Sequence, residues 1–433
     1  MADLSINFAG ITAPNPFWLA SAPPTNTGEQ IMRAYDHGWG GAVWKTLGTP
    51  IRNVTSRFAA NHWGDQRMMG LNNIELITDR PLDVNYAEIR EVTRKYPEHA
   101  TIISLMFETE QEWKENIERS IECGAKGLEL NFGCPHGMCE RGMGSAVGQE
   151  PKVLEEITRW VMKYSTVPVI VKLTPNISDI LRPGFAAQAG GANAVSLINT
   201  IKSIMAVDLD QMVPVPNVGG ASTNGGYCGP AVKPIAMHMV GQLGRHPDFK
   251  IPISAIGGIG TWRDAAEFIA LGATSVQVCT AVMHYGYRIV EDMIDGLSNW
   301  MDEKGYKTID DFAGMATPNY RNWEDLNMNA KVVAKIDRDK CIGCQLCFIA
   351  CKDGSHHCIY LPEDGTGKAI LEPGYNRVPT VAADECTGCN LCSLVCPVDD
   401  CITMETVDRG LEPVSWKQFM AGEASLPEYS YKH

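Results

Sequence analysis

The first 300 residues alternate short apolar runs with longer segments whose apolar positions recur at helical spacing. The runs are Phe17–Ala20, Ala42–Thr46, Thr101–Met106, Gly127–Asn131, Val169–Leu173, Ala194–Ile198, Ile253–Ile256 and Ser275–Val278. Most are rich in Val and Ile, the pattern of strands buried on both faces. Between them lie helix-length stretches such as Gln111–Cys123, Pro151–Tyr164 and Thr261–Leu271. Eight strand–helix steps predict an α/β fold, a (β/α)8 TIM barrel, over residues 1–300. The competing design, an open doubly wound sheet, needs Gly-x-Gly-x-x-Gly directly after a strand to hold a dinucleotide. The nearest cluster, Gly142-x-Gly144-x3-Gly148, has another spacing and no strand directly before it. A nicotinamide site of that type is not expected in this chain.

The pattern changes after the barrel. Residues 301–333 read as a polar connector, with Asp302-Glu303-Lys304-Gly305 and then Pro318-Asn319-Tyr320-Arg321. Two matched cysteine runs follow: Cys341-x2-Cys344-x2-Cys347-x3-Cys351 and Cys386-x2-Cys389-x2-Cys392-x3-Cys396-Pro397. This is the spacing of a ferredoxin-like domain with two [4Fe–4S] clusters, in which each fourth cysteine reaches across to the other cluster. Cys341, Cys344, Cys347 and Cys396 are therefore assigned to one cluster, and Cys386, Cys389, Cys392 and Cys351 to the other. Zinc knuckles or disulfides are the alternatives, and neither repeats such a comb. The domain is placed at 334–405 and a C-terminal tail at 406–433. Glu412–His433 holds few apolar residues and is expected to be extended.

Composition narrows the class. The 433 residues, 45% apolar and 20% charged, suit a globular chain of two or three domains. No run of eighteen apolar residues exists, so no membrane span is predicted. Met1-Ala2-Asp3-Leu4-Ser5 lacks the basic-then-apolar pattern of a secretory signal. Cluster cysteines call for a reducing compartment, and a cytoplasmic location is expected. The net charge of −14 argues against nucleic acid as a partner.

A TIM barrel carries its chemistry at the C-terminal ends of its strands. Lys45, Asn131, Lys172, Asn199-Thr200, Gly257-Gly258 and Thr280 fall there. Each alone reads as a satisfied polar residue or a turn; together at one rim they predict a site. The glycines after the seventh strand, with the helix beginning near Thr261, suggest a phosphate cradle. Two inward lysines suit the anionic form of a reduced flavin. Clusters pass single electrons and C–C reduction needs a hydride, so FMN is the cofactor that joins the two halves.

The loop Asn131-Phe132-Gly133-Cys134-Pro135-His136-Gly137-Met138-Cys139-Glu140-Arg141-Gly142-Met143-Gly144 is glycine-rich enough for a lid. Cys134 is the candidate general acid, since a thiol of pKa ~8.5 is mostly protonated at neutral pH. A small buried hydrophobe is the alternative. Cys139 and His136 are rival donors. Cys123, Cys228, Cys279, Cys358 and Cys401 have no partner pattern and read as packing residues. Ala236-Met237-His238-Met239-Val240 reads as helix core.

At these motifs the chain resembles the NAD-dependent dihydropyrimidine dehydrogenases, specifically their bacterial catalytic subunits, on a dihydroorotate dehydrogenase superfamily barrel. The resemblance spans essentially the whole length. It runs from Asn15-Pro16-Phe17-Trp18-Leu19-Ala20-Ser21 through Asn73-Ile74-Glu75-Leu76-Ile77, the Cys134-Pro-His-Gly-Met loop and Lys172-Leu173-Thr174-Pro175-Asn176 to both cysteine runs. It implies reversible reduction of the 5,6 double bond of uracil or thymine. NADH would be the ultimate donor, acting through an FAD-containing partner subunit in a heteromeric, heterotetramer-type complex. It implies that Ala20, Ser21, Lys45, Lys172, Gly226, Gly229, Gly257, Gly258 and Thr280 contact FMN. Asn73, Asn131, Asn199 and Thr200 would hold the pyrimidine, and Cys134 would protonate C5 while flavin N5 delivers hydride to C6. Carboxamides suit uracil independently, because both present donors and acceptors in one plane. Gly133 stands where relatives carry serine, and Phe132 where they carry a smaller aliphatic residue. The rival readings are a dihydroorotate dehydrogenase-like enzyme, whose substrate carboxylate wants a basic residue, and a non-catalytic electron-transfer scaffold.

Overall fold

A computed structural model describes residues 2–49, 51–135, 142–361 and 378–427. The chain forms two compact units, Met1–Tyr320 and Arg321–His433. In the first, strands and helices alternate: β1 (Phe17–Leu19), α1 (Gly28–Asp36), β2 (Gly41–Leu47), α2 (Leu82–Lys95), β3 (Ala100–Leu105), α3 (Glu110–Glu122), β4 (Gly127–Asn131), α4 (Pro151–Tyr164), β5 (Val169–Lys172), α5 (Leu181–Ala189), β6 (Ala194–Leu197), α6 (Lys233–Gly244), β7 (Ile253–Ile256), α7 (Trp262–Ala270), β8 (Ala273–Val278) and α8 (Ile289–Lys304). The strands close in chain order into a parallel barrel, each of the eight expected runs supplying one of them. Every residue of β2, β3 and β4 is buried, as strands covered on one face by helices and on the other by barrel filling must be.

The helices follow from their periodicity and their caps. In α4 the buried positions Leu154, Ile157, Thr158 and Val161 make one stripe, and Pro151 opens the helix where no amide hydrogen is needed. In α3 Thr109 accepts from the Glu112 amide while the Glu112 side chain returns to the Thr109 amide.

Two excursions between strand and helix build a structure the apolar pattern did not announce. Phe58–Trp63 and Gln66–Asn73 follow β2, and Ile201–Ser203 and Gly225–Cys228 follow β6. They pair as one four-stranded sheet, Gln66–Asn73 lying between Phe58–Trp63 and Gly225–Cys228. These strands are half polar and partly exposed, so they lack the continuous apolar run that marked the barrel.

The stretch expected as a connector is divided. Residues to 304 belong to α8, which ends at Gly305 in the left-handed region (φ +80°). Ile309 and Phe312 then bury in the barrel core, and the Arg245 guanidinium lies 4.4 Å from the Tyr320 ring. Backbone hydrogen bonds such as Gly314 N–H to the Ile269 carbonyl (2.9 Å) anchor the segment further.

In the second unit Val332–Ile336 pairs antiparallel with Ile402–Thr406, and Ile359–Tyr360 with Thr380–Val381. Each cysteine comb makes the same backbone turn. Gly343 and Gly388 have φ of +68° and +73°, and the residues after the second cysteine, Gln345 and Asn390, have +66° and +69°. Glycine adopts that region without penalty; Gln345 and Asn390 do so at a cost that the comb must offset. The core here is built largely of sulfur: Cys347, Cys351, Cys358, Cys392 and Cys401 with Ala334, Ile359 and Ile402. The tail corrects the expectation of an extended end. Trp416–Met420 is a short helix capped by Ser415, and Trp416 packs on Trp323 at 6.0 Å between ring centroids. That aromatic pair, buried Val414 and hydrogen bonds from the Met328 amide to the Val414 carbonyl (2.8 Å) and from Asn329 Nδ2 to the Glu412 carbonyl (2.7 Å) dock it.

Candidate active site

A deep cavity opens at the C-terminal ends of the strands, with Phe58, Gln66, Met68, Leu71 and Tyr227 of the four-stranded sheet along its mouth. Ala20 and Ser21 after β1, Lys45 on β2, Asn73, Asn131 closing β4, Cys134, Lys172 closing β5, Asn199 and Thr200 after β6, Gly229, Gly257 and Gly258 after β7, and Thr280 after β8 all line it. Of the residues singled out, Gly226 alone does not. Its carbonyl instead accepts from Asn73 Nδ2 (3.2 Å), and a Cβ there would lie 2.0 Å from Thr200 Oγ1. Gly226 shapes the wall by letting two lining side chains stand.

Both lysines are buried, their side chains 5% and 6% exposed. Each has a carboxylate that the sequence reading missed. Lys45 bonds Glu75, which also meets Arg57 (3.1 Å) and lines the cavity. Lys172 Nζ lies 3.5 Å from Glu129 Oε1. Glu129 is fully buried, and its other oxygen accepts from Ser196 Oγ (2.8 Å) and Gln277 Nε2 (3.3 Å). A signal existed in both cases. Glu75 lies within the Asn73-Ile74-Glu75 motif, and Glu129 sits two residues before Asn131, so it shares a strand face with it.

The asparagines form a chain. Asn199 Nδ2 donates to Asn131 Oδ1 (3.1 Å), and Asn131 Nδ2 donates to Thr46 Oγ1 (3.0 Å). The Gly133 amide reaches Asn131 Oδ1 at 3.3 Å, and the Thr200 amide reaches Asn199 Oδ1 at 2.8 Å. Gly133 makes room for this: a Cβ there would stand 2.4 Å from Asn199 Cβ.

Cys134 is buried against Ile77, Met106 and Met143. Its carbonyl accepts from the Ser145 amide (2.9 Å), which closes the loop, and Gly144 (φ +59°) fits because a Cβ would lie 2.8 Å from that carbonyl. The rivals His136 and Cys139 lie outside the described residues.

Two thiols read as packing residues belong to the cavity wall. Cys228 Sγ accepts from Thr280 Oγ1 (3.2 Å), and Cys279 lies at the start of the next turn. Burial pushes them up to about 11 and about 12, so both remain thiols at neutral pH. Cys123 is packing, its thiol donating to the Tyr86 carbonyl (3.4 Å).

The phosphate cradle is corrected in part. Gly257 and Gly258 hold φ of +130° and +73°, where Cβ atoms would strike Ala236 and Lys233. They bring backbone to the cavity edge as expected. The start of α7, however, is filled by its own Asp264, which accepts the Gly260 (3.0 Å) and Thr261 (2.8 Å) amides and pairs with Lys233. A carboxylate already uses that positive end. The remaining residues fit a flavin: two buried lysines, a glycine edge, and the buried Gln277 Oε1, which makes no hydrogen bond on a side chain that lines the cavity.

In the second unit Cys341, Cys344, Cys347 and Cys396 line one small cavity, and Cys351, Cys386, Cys389 and Cys392 line another. These are the two sets that spacing assigned. Cys401 borders the first and Cys358 the second, so neither is remote packing. Among the described residues no three His, Cys, Asp or Glu side chains converge tightly enough for a single metal ion.

Residues 3–301 match the family described as dihydroorotate dehydrogenase, and residues 334–404 match a 4Fe-4S dicluster domain. The chain belongs to the dihydroorotate dehydrogenase family. It is an oxidoreductase of that family with a C-terminal 4Fe-4S dicluster domain. Over 356 residues it is 46% identical to the NAD-dependent dihydropyrimidine dehydrogenase subunit PreA of Escherichia coli K12, covering 82% of this chain and 86% of that one. It is 40% identical to the chloroplastic dihydropyrimidine dehydrogenase (NADP(+)) of Arabidopsis thaliana, over 75% of this chain and 79% of the relative. It is 35% identical to the dihydroorotate dehydrogenase B (NAD(+)) catalytic subunit of Thermococcus kodakarensis, over 73% of this chain and 99% of that one. Among the described residues no helix is long and apolar enough to cross a membrane.

Proposed function

We propose that this protein reduces uracil or thymine reversibly at the 5,6 double bond. The observation that carries the reading is the unused hydrogen-bonding capacity of three asparagines on one cavity. Asn131 has its oxygen occupied by two donors and one N–H given to Thr46, leaving one N–H. Asn199 likewise has its oxygen taken by Thr200 and one N–H given to Asn131, leaving one N–H. Asn73 directs one N–H to Gly226 and keeps its oxygen and the other N–H. Two donors and one donor–acceptor suit a ring with alternating C=O and N–H groups, and they reject a ring without them.

Lys45, Lys172, Ala20, Ser21, Gly229, Gly257, Gly258 and Thr280 would hold FMN, with Gly226 supporting the wall. FMN, when bound, collects single electrons and supplies them in pairs as hydride to C6. Cys134 holds the proton for C5 in an apolar pocket that keeps water away, and Asn131 and Asn199 fix the ring against it. Electrons would arrive from NADH through an FAD-containing partner subunit and the two clusters. A relative named as a subunit supports the heteromeric assembly. The location would be cytoplasmic.

The test is anaerobic purification followed by addition of dihydrouracil. Bleaching of a bound flavin supports the reading; bleaching by dihydroorotate instead assigns the other branch of the family. No flavin in a chain that carries both clusters overturns it.

A further inference from the structure

We infer that Glu129 is a positioning residue that sets the charge presented to the flavin through Lys172; this rests on the flavin site proposed above. Glu129 does not reach the cavity, whereas Lys172 and Gln277, which both face its carboxylate, line it. Adjacent strands hold the pair together: Lys172 on β5 stands in register with Asn131 on β4, two residues beyond Glu129. Ser196 on β6 and Gln277 on β8 fix one carboxylate oxygen. Ser254 on β7 fixes Gln277 in turn at 3.2 Å.

The geometry leaves Glu129 able to act on the lysine without consuming it. Oε1 faces Nζ at 3.5 Å and makes no hydrogen bond, so the attraction is coulombic and the ammonium keeps donors for the cavity. A fully buried carboxylate beside a buried ammonium makes the pair neutral as a unit. Reduced flavin at neutral pH is an anion, and it meets a lysine whose charge Glu129 already offsets. Removing the Glu129 charge would leave one uncompensated positive charge at the cavity wall and would favour the reduced form of a flavin held there. Lys45 is balanced similarly by Glu75, but Glu75 itself lines the cavity. Glu129 acts only through side chains that do line it.

The experiment is a redox titration of the flavin in the full chain, with both clusters present and read separately by electron paramagnetic resonance. Glu129→Gln, nearly isosteric, should bind reduced flavin about tenfold more tightly relative to oxidised, a positive shift of about 30 mV for a two-electron couple. Glu129→Asp should return most of the shift. An unchanged potential in a flavin-loaded Glu129→Gln variant overturns the inference. If that variant does not fold, Glu129→Gln with Lys172→Met removes the stranded charge, and recovery of folding supports direct coupling of the pair. Failure of the double variant to fold makes Glu129 a structural residue and also overturns the inference. A wild-type chain without flavin sinks the functional reading instead, while the melting temperatures of the single and double variants still test the pair.

Discussion

The two units hold reactive groups in opposite ways. In the barrel unit each buried charge at the cavity has an opposite charge beside it, Lys45 with Glu75 and Lys172 with Glu129, above a core of Trp, Phe, Ile and Leu. There the protein balances its own buried charges and leaves hydrogen-bonding groups to the cavity. In the second unit five of the eight buried residues in its main core cluster, among the described residues, are cysteines, and two ligand sets each line a small cavity. One unit positions chemistry on a core; the other uses its chemistry as the core. Ligand binding there supplies folding free energy, as in other small metal-dependent domains.

The largest effect follows directly. Removing iron with a chelator, or changing Cys347 and Cys392 together to Ala, should unfold residues 321–427 while the barrel melts at its usual temperature. Calorimetry with two resolved transitions checks this, and a barrel transition that falls in step would erase the contrast. Next, Cys134→Ala should lower turnover about 10²–10⁴-fold with flavin and iron content unchanged. Cys134→Ser should keep a slow residue of activity with a more alkaline pH profile. Near-normal rates in the Ala variant would move the proton to His136 or Cys139.

A smaller effect tests how tightly the barrel site is finished. Gly133→Ser forces Asn199 aside, since a Cβ would stand 2.4 Å from Asn199 Cβ, and should raise KM for uracil about tenfold. An unchanged KM would mean that Asn199 does not orient the ring. Smallest is Asp264→Asn at the start of α7, expected to cost about 1–2 kcal/mol at pH 7. Burial alone would raise this carboxyl, but Lys233 and the Gly260 and Thr261 donors outweigh it and hold it below its usual range. Its folded value lies below the unfolded one, so its contribution is full above the unfolded value and fades as pH falls towards the folded one. Wild type and variant should therefore converge in acid, as urea unfolding at several pH values would show.

What the chain revealed in advance follows the range of the interactions involved. Barrel strands are continuous Val- and Ile-rich runs, and the cysteine combs are strictly local, so both could be read. Lys45, Asn131 and Lys172 were legible because strand ends locate them. Glu129 and Glu75 left only a positional signal, because their meaning lies in partners on other elements. The four-stranded sheet escaped for a related reason. Its strands are half polar, and Gln66–Asn73 has its partner in Gly225–Cys228, a strand distant in the chain. Ile309 and Phe312 were hidden in a polar stretch by their small number. Asp264 was not singled out in the sequence, yet its carboxylate takes the Gly260 and Thr261 amides at the start of α7.

The cysteine-built core has a consequence for how the protein is made. The barrel precedes the cysteine runs in the chain, so during synthesis it can complete its core before the second unit has any ligand to fold around. Iron supply then becomes a checkpoint late in maturation. A cell short of iron would accumulate chains with a finished barrel and a protease-sensitive C-terminal quarter.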